Sequence, residues 1–157
     1  MLSDTHDHIP NTRKAIDFFR VQGVSTLIHA GDLCSPFMVP EFEGFKLHTV
    51  FGNNDGDHFR ILQKAADIGA AHHGEFARLS FGGRRMGVYH GTQPDITEAL
   101  VRCGLYDVII SGHTHEAFSK SEGPTLWLNP GSVHGFGKTS TAAVYDTETG
   151  KARITEL

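Results

Sequence analysis

No apolar run in this chain approaches the ~20 residues that a bilayer-spanning helix requires. The start, Met1-Leu2-Ser3-Asp4, also lacks the basic and apolar regions of a signal peptide. A cytoplasmic protein without a membrane partner is therefore expected. Cysteine is scarce: Cys34 and Cys103 stand far apart in no CxxC spacing, which opposes a cysteine metal site and reads as two reduced, partly buried thiols. Blocks of Lys or Arg are missing as well, and the net charge is −4, so no broad nucleic-acid surface is expected. A small phosphorylated substrate stays compatible with that charge, because bound metal can supply positive charge locally. Repeats, low-complexity segments and linkers are absent, and 157 residues suit a single domain over 1–157 with one contiguous core.

What the chain does have is histidine, eleven of them, and their positions carry the argument. Short apolar runs alternate with helix-like segments, the pattern of an α/β domain. Helices are predicted over 11–22, with Ala15, Phe18, Phe19 and Gln22 at helical spacing and Gly23 as a stop, over 58–67, with Phe59, Leu62 and Ala66 on one face, and over 94–102, opened by Pro94. Strands are predicted over 26–29, 47–51, 76–81, 85–89, 107–111, 125–128, 142–145 and 152–155, with Gly82-Gly83 as a hairpin turn.

Asp4, Asp32, Asn53, His90 and His113 each come within a few residues after an apolar strand, and four of the five sit beside a glycine. In open α/β sheets, ligands bind beyond the carboxyl ends of strands, where loops gather polar groups from distant parts of the chain. Taken singly the motifs are weak: Asp4-Thr5-His6 reads as a helix cap, and Gly52-Asn53-Asn54-Asp55 as a turn. Gly112-His113-Thr114-His115 is stronger, because His-x-His after a strand can direct two imidazoles into one pocket.

As an ordered set, Asp4-x-His6, Gly31-Asp32, Gly52-Asn53-x-Asp55, His90-Gly91 and Gly112-His113-x-His115 resemble the calcineurin-like metallophosphoesterase superfamily. The small size and Asn129-Pro130-Gly131-Ser132 look like its compact YfcE-like phosphodiesterase branch. The resemblance implies two mixed β-sheets packed face to face and flanked by helices. It implies a dinuclear metal-dependent phosphodiesterase in which a hydroxide bridging the ions hydrolyses small phosphodiesters. Asp4, His6 and His115 would hold one ion, Asn53, His90 and His113 the other, and Asp32 would bridge them. Mixed imidazole, amide and carboxylate ligands suit Mn²⁺, Fe, Ni²⁺ or Zn²⁺ better than Mg²⁺, and the family leans towards manganese. No other cofactor is implied. Asn54 is read as a substrate contact, Asp55 as a carboxylate orienting a ligand histidine, and Asn129 and Ser132 as the floor of the site. A protein-binding scaffold of the same fold is the competing reading, opposed by seven ligand positions that all carry competent residue types.

Three departures accompany the resemblance. Many relatives place a proton-donating histidine where Asn54 stands, which leaves His8 and His134 as candidate substitutes. Only Met1-Leu2-Ser3 precede the first motif, about 10 Å of strand, so a shortened strand or residues lost upstream are expected. Val133-His134-Gly135-Phe136-Gly137-Lys138 replaces the proline and arginine often found there, so an arginine contact to substrate has no counterpart at that point.

Overall fold

The computed structural model describes residues 1–157, and the chain folds as four layers, helix, sheet, sheet, helix. In chain order the elements are α1 (Ile9–Val21), β1 (Thr26–His29), a 3₁₀ helix (Pro36–Phe42), β2 (Lys46–Thr49), α2 (His58–Asp67), β3 (Ala71–His72), β4 (Phe76–Phe81), β5 (Arg84–Tyr89), α3 (Pro94–Arg102), β6 (Val108–Ile110), β7 (Phe118–Glu122), β8 (Thr125–Asn129), β9 (Thr141–Asp146) and β10 (Lys151–Glu156). No helix is long and apolar enough to cross a membrane.

Strands β1, β2 and β3 pair in parallel, and β9 pairs antiparallel with β10. Residues Met1 to Ser3 join these two pieces into one layer. Leu2 bridges His29 in parallel, and Met1 exchanges backbone bonds with Ala143 in both directions. Ahead of α1 the pairing is a single bridge at Leu2 and not a strand. The second layer is mixed, with the order β4-β5-β6-β8-β7. Its β4–β5 hairpin turns on Gly82 and Gly83, both at positive φ, which is what a two-residue turn matching the strand twist needs.

One core lies between the layers, where Ile28, Ala30 and Val50 meet Ala77, Met86, Val88, Val108, Ile110 and Leu128. Outside the first sheet, Ala15, Ile16 and Phe19 of α1 pack with Met38, Val39 and Phe42 of the 3₁₀ helix. Outside the second, α3 presents Val101 to Ile109, with Trp127 alongside. An apolar cavity of about 230 Å³ lies between the sheets, lined by Met1, Phe19, Ile28, Phe81, Met86 and Ala143 among others; none of the seven candidate ligands reaches it.

The face of α2 that carries Phe59, Leu62 and Ala66 points to solvent. Phe59 is 77% exposed and Leu62 44%, whereas Ile61 and Ala65 are buried. The helix docks one residue further round because Ile61 and Ala65, four apart, fit beneath the 3₁₀ helix that sequence periodicity did not reveal. Cys103 is exposed, not partly buried, and both thiols are free.

Candidate metal centre

The loops after Met1–Ser3, β1, β2, β5 and β6 converge at one edge of the two sheets. Asp4, Asp32 and His90 are buried there, at 0%, 1% and 1% exposure. The backbone stitches the loops together. Asp4 N donates to Gly31 O (3.1 Å), His6 N to Asp32 O (3.1 Å), Gly112 N to His90 O (2.7 Å) and His134 N to Asp4 O (3.0 Å). Five of the eight non-glycine residues at positive φ are candidate ligands: Asp4, His6, Asp32, His113 and His115. A β-carbon disfavours that conformation, and strained backbone of this kind collects where function demands a side-chain direction that relaxed backbone does not provide.

Two groups of ligand atoms meet within 4.8 Å, namely Asp4, His6 and His115, and Asp4, Asp32 and His90. Asp4 Oδ1 lies 3.2 Å from His115 Nε2 and 3.6 Å from His6 Nε2; Asp32 Oδ2 lies 3.3 Å from both His6 Nε2 and His90 Nε2. Asp4 Oδ1, His6 Nε2 and His90 Nε2 are buried and make no hydrogen bond. Three buried polar atoms pointed at one another without partners are costly unless a further group satisfies them. A carboxylate–imidazole donor set at this spacing fits divalent cations. His90 is already in the tautomer a metal needs, because its Nδ1–H donates to Ala30 O at 2.7 Å and leaves Nε2 its lone pair.

The electrostatics agree. The His6 pKa is pushed up to about 11: burial works against protonation, but Asp32, Asp4 and Cys34 outweigh it. His90 is raised for the same reason, with burial again opposed by Asp32 and Asp4. Asp32 is held far below the usual carboxylate range; burial opposes this, and His6, His90 and Asn54 overcome it. With no cation present, a second proton on the His6 imidazole offsets the carboxylates, and a metal must displace it.

The remaining predicted residues fall around this centre. The His113 ring stands 5.2 Å from that of His90, and its backbone N–H donates to Asp4 Oδ2 at 3.1 Å. Asn53 is exposed at the rim, where its Oδ1 accepts from the Thr92 hydroxyl at 3.5 Å. Asn54 is exposed too, but its backbone and side-chain N–H groups each donate to an Asp32 oxygen at 2.8 Å. Asp55 takes three backbone donors, Gly52, Asp32 and Cys34, where an imidazole was expected; it ties the Asp32 loop to the Asn53 loop. Asn129 donates to Gly112 O and Thr114 Oγ1, and Ser132 donates to Asp4 O, so both brace ligand loops. His8 and His134 each accept a backbone N–H at Nδ1, which leaves the proton on Nε2; their rings lie 5.0 Å apart, and that of His134 stands 6.2 Å from His6.

Two neighbours of the ligands escaped the sequence reading. Phe136 stacks on His115 at 4.4 Å and on His134 at 4.0 Å, and Cys34 Sγ lies 3.3 Å from His6 Nδ1. The only sequence signal for Cys34 is its place two residues beyond Asp32.

His29, fully buried under the centre, accepts from Gly31 N at Nδ1 and faces the Thr5 hydroxyl through Nε2. Burial lowers its pKa to about 3, against the pull of Asp4 and Asp32. The imidazole stays neutral in the fold and takes a proton only once unfolded. Its contribution to stability is therefore whole above pH 6.5 and is lost as the pH falls from there towards 3. Between pH 6 and 4.5 the loss is about 2 kcal/mol. Urea midpoints of metal-free wild type and His29→Gln over that range are expected to show a shallower slope in the variant; parallel slopes would remove His29 as the cause.

Comparison with known proteins places the fold and the family. Residues 1–150 match the model of the calcineurin-like phosphoesterase superfamily domain. A phosphodiesterase of Methanocaldococcus jannaschii is 36% identical over 152 residues, covering 94% of this chain and 92% of its own. The solved structure of an archaeal phosphodiesterase superposes with a TM-score of 0.93 at 36% identity, over 99% of this chain and 97% of that one. YfcE, a phosphoesterase from E. coli, shares the fold with a TM-score of 0.69 at 18% identity, over 99% and 96% of the two chains. With the motifs in order, the fold matched and the ligand atoms gathered, this chain belongs to the calcineurin-like phosphoesterase superfamily.

Proposed function

We propose that the chain is a phosphodiesterase that works with two divalent ions, manganese foremost, and cleaves small phosphodiesters. The observation that carries the reading is that buried, unpartnered Asp4 Oδ1, His6 Nε2 and His90 Nε2 gather around Asp32 in two adjoining groups that share Asp4. Asp4, His6 and His115 would hold one ion, Asn53, His90 and His113 the other, with Asp32 between. Bound there, two such ions neutralise phosphoryl oxygens and bring the pKa of a water down towards 7, which supplies the nucleophile.

The chain's own part is to orient and to balance charge. Asp4 and Asp32 offset roughly half of the four positive charges that two divalent ions bring, so the centre keeps affinity for an anionic ester. His90 is fixed by Ala30 O, and Asp32 by the two Asn54 donors, so neither needs to reorganise when substrate arrives. Asn54 cannot protonate a departing alkoxide. General acid catalysis is worth roughly 10²–10⁴-fold, so esters with acidic leaving groups are favoured.

Purified protein is expected to hydrolyse a chromogenic aryl phosphodiester, to lose that activity to a chelator and to regain it with Mn²⁺. An alkyl diester should turn over at least about 10²-fold more slowly. Absence of turnover with Mn²⁺, Ni²⁺, Fe²⁺ and Zn²⁺ alike, or turnover indifferent to chelation, would overturn the assignment.

A further inference from the structure

We propose that Cys34 is a positioning residue for His6: its sulfur accepts the Nδ1 proton and so aims Nε2 at the Asp4–Asp32 pair. The inference rests on the metal reading above and deepens it. For Nε2 to offer a lone pair to a cation, Nδ1 must carry the proton, and that proton needs an acceptor. For His90 the acceptor is Ala30 O at 2.7 Å. For His6 the group within hydrogen-bond reach of Nδ1 is Cys34 Sγ at 3.3 Å, while Nε2 lies 3.3 Å from Asp32 Oδ2 and 3.6 Å from Asp4 Oδ1.

The backbone holds the sulfur there against a local cost. Cys34 sits at φ +76°, a conformation a β-carbon disfavours and glycine adopts freely. The position nevertheless carries a side chain, and that side chain ends on a ligand imidazole. Cys34 N donates to Asp55 Oδ1 at 2.7 Å, and Gly56 N donates to Cys34 O at 3.2 Å. The other Asp55 oxygen accepts from Asp32 N at 3.1 Å. One carboxylate thus sets both the Asp32 loop and the sulfur that orients His6, so the two approach the ion in register. Thiol sulfur is a weak acceptor. A serine hydroxyl can also accept, whereas alanine cannot, which makes the role separable from mere space-filling.

The test is metal affinity, measured by competition with a chromophoric chelator on wild type, Cys34→Ala and Cys34→Ser, together with the melting temperature of each metal-free protein. Cys34→Ala is expected to bind Mn²⁺ about 10-fold more weakly, with activity recovered at excess metal and the metal-free melting temperature within roughly 2 °C of wild type. Cys34→Ser should restore most of the affinity. With Co²⁺ in the centre, wild type should show no thiolate-to-cobalt charge-transfer absorption. Equal affinity in wild type and Cys34→Ala overturns the role of Cys34 and leaves the metal centre standing. A serine variant as weak as alanine, or a charge-transfer band that makes the sulfur a ligand itself, also overturns it. Wild type that binds no metal overturns both readings.

Discussion

Asp32→Ala is expected to release both ions and to lower phosphodiester turnover by at least about 10³-fold, whereas His115→Ala keeps one ion and loses less. The difference follows from where the two side chains stand. Asp32 Oδ2 is equidistant, at 3.3 Å, from His6 Nε2 and His90 Nε2, which the proposed function assigns to different ions. Two divalent ions ~3.5 Å apart repel by roughly 19 kcal/mol at an effective dielectric near 20. An anion between them is what makes the pair tolerable. Asp32 is such an anion: before any ion binds its pKa is held far down, with burial opposed and outweighed by His6, His90 and Asn54. His115 is about one-third exposed and reaches only Asp4 Oδ1, at 3.2 Å, so its loss thins one coordination sphere. Metal content per chain after desalting, read beside turnover, separates the cases. Wild-type stoichiometry in Asp32→Ala would remove Asp32 from the bridging position.

The parts of the fold legible in the sequence were those where one local rule dominates. Apolar runs that stop at Gly-Asp, His-Gly or Gly-His gave β1, β5 and β6 with their attached ligands. The Gly82-Gly83 pair gave the β4–β5 turn, and Pro94 the start of α3. Elements that depend on neighbours were missed. Strand β7, Phe-Ser-Lys-Ser-Glu, has no apolar alternation to show, because it is an edge strand held by pairing with β8. Strand β3 is two residues long and exists only beside β2. The 3₁₀ helix carries Pro40 within it, which argues against a regular helix. The same division runs through the site. Residue types and order picked out Asp4, His6, Asp32, His90 and His115, which the fold brings together, but the sequence says nothing of which groups aim them. That Asp55 gathers backbone amides, that Asn54 braces Asp32, and that Cys34 faces His6 are all contacts across 21 to 28 residues of chain. Left-handed backbone at Asp4, His6, Asp32, His113 and His115 is only weakly signalled by residue type, since Asp and His are enriched there yet adopt it at few of their positions.

Gly52→Ala should fold and yet lose phosphodiester turnover by about 10²-fold, with weakened metal binding. Its backbone is not in the left-handed region, so alanine carries no conformational penalty there and the effect is one of contact alone. A β-carbon at Gly52 would collide with Asp32 Oδ1 and lie 2.5 Å from Asp32 N and 2.8 Å from Asp32 Cγ. Backbone and carboxylate would have to retreat together, because Asp32 N and Gly52 N share the Asp55 carboxylate and cannot separate without giving up that bond. A shift near 1 Å moves the carboxylate out of reach of one imidazole, and displacements of that size cost catalysis far more than they cost folding. Excess Mn²⁺ should restore little, since the ligand is present but misplaced; this differs from Cys34→Ala, where it restores much. Wild-type turnover in a folded Gly52→Ala would mean that the Asp32 loop yields without moving its carboxylate, and the rigidity ascribed to Asp55 would then be wrong.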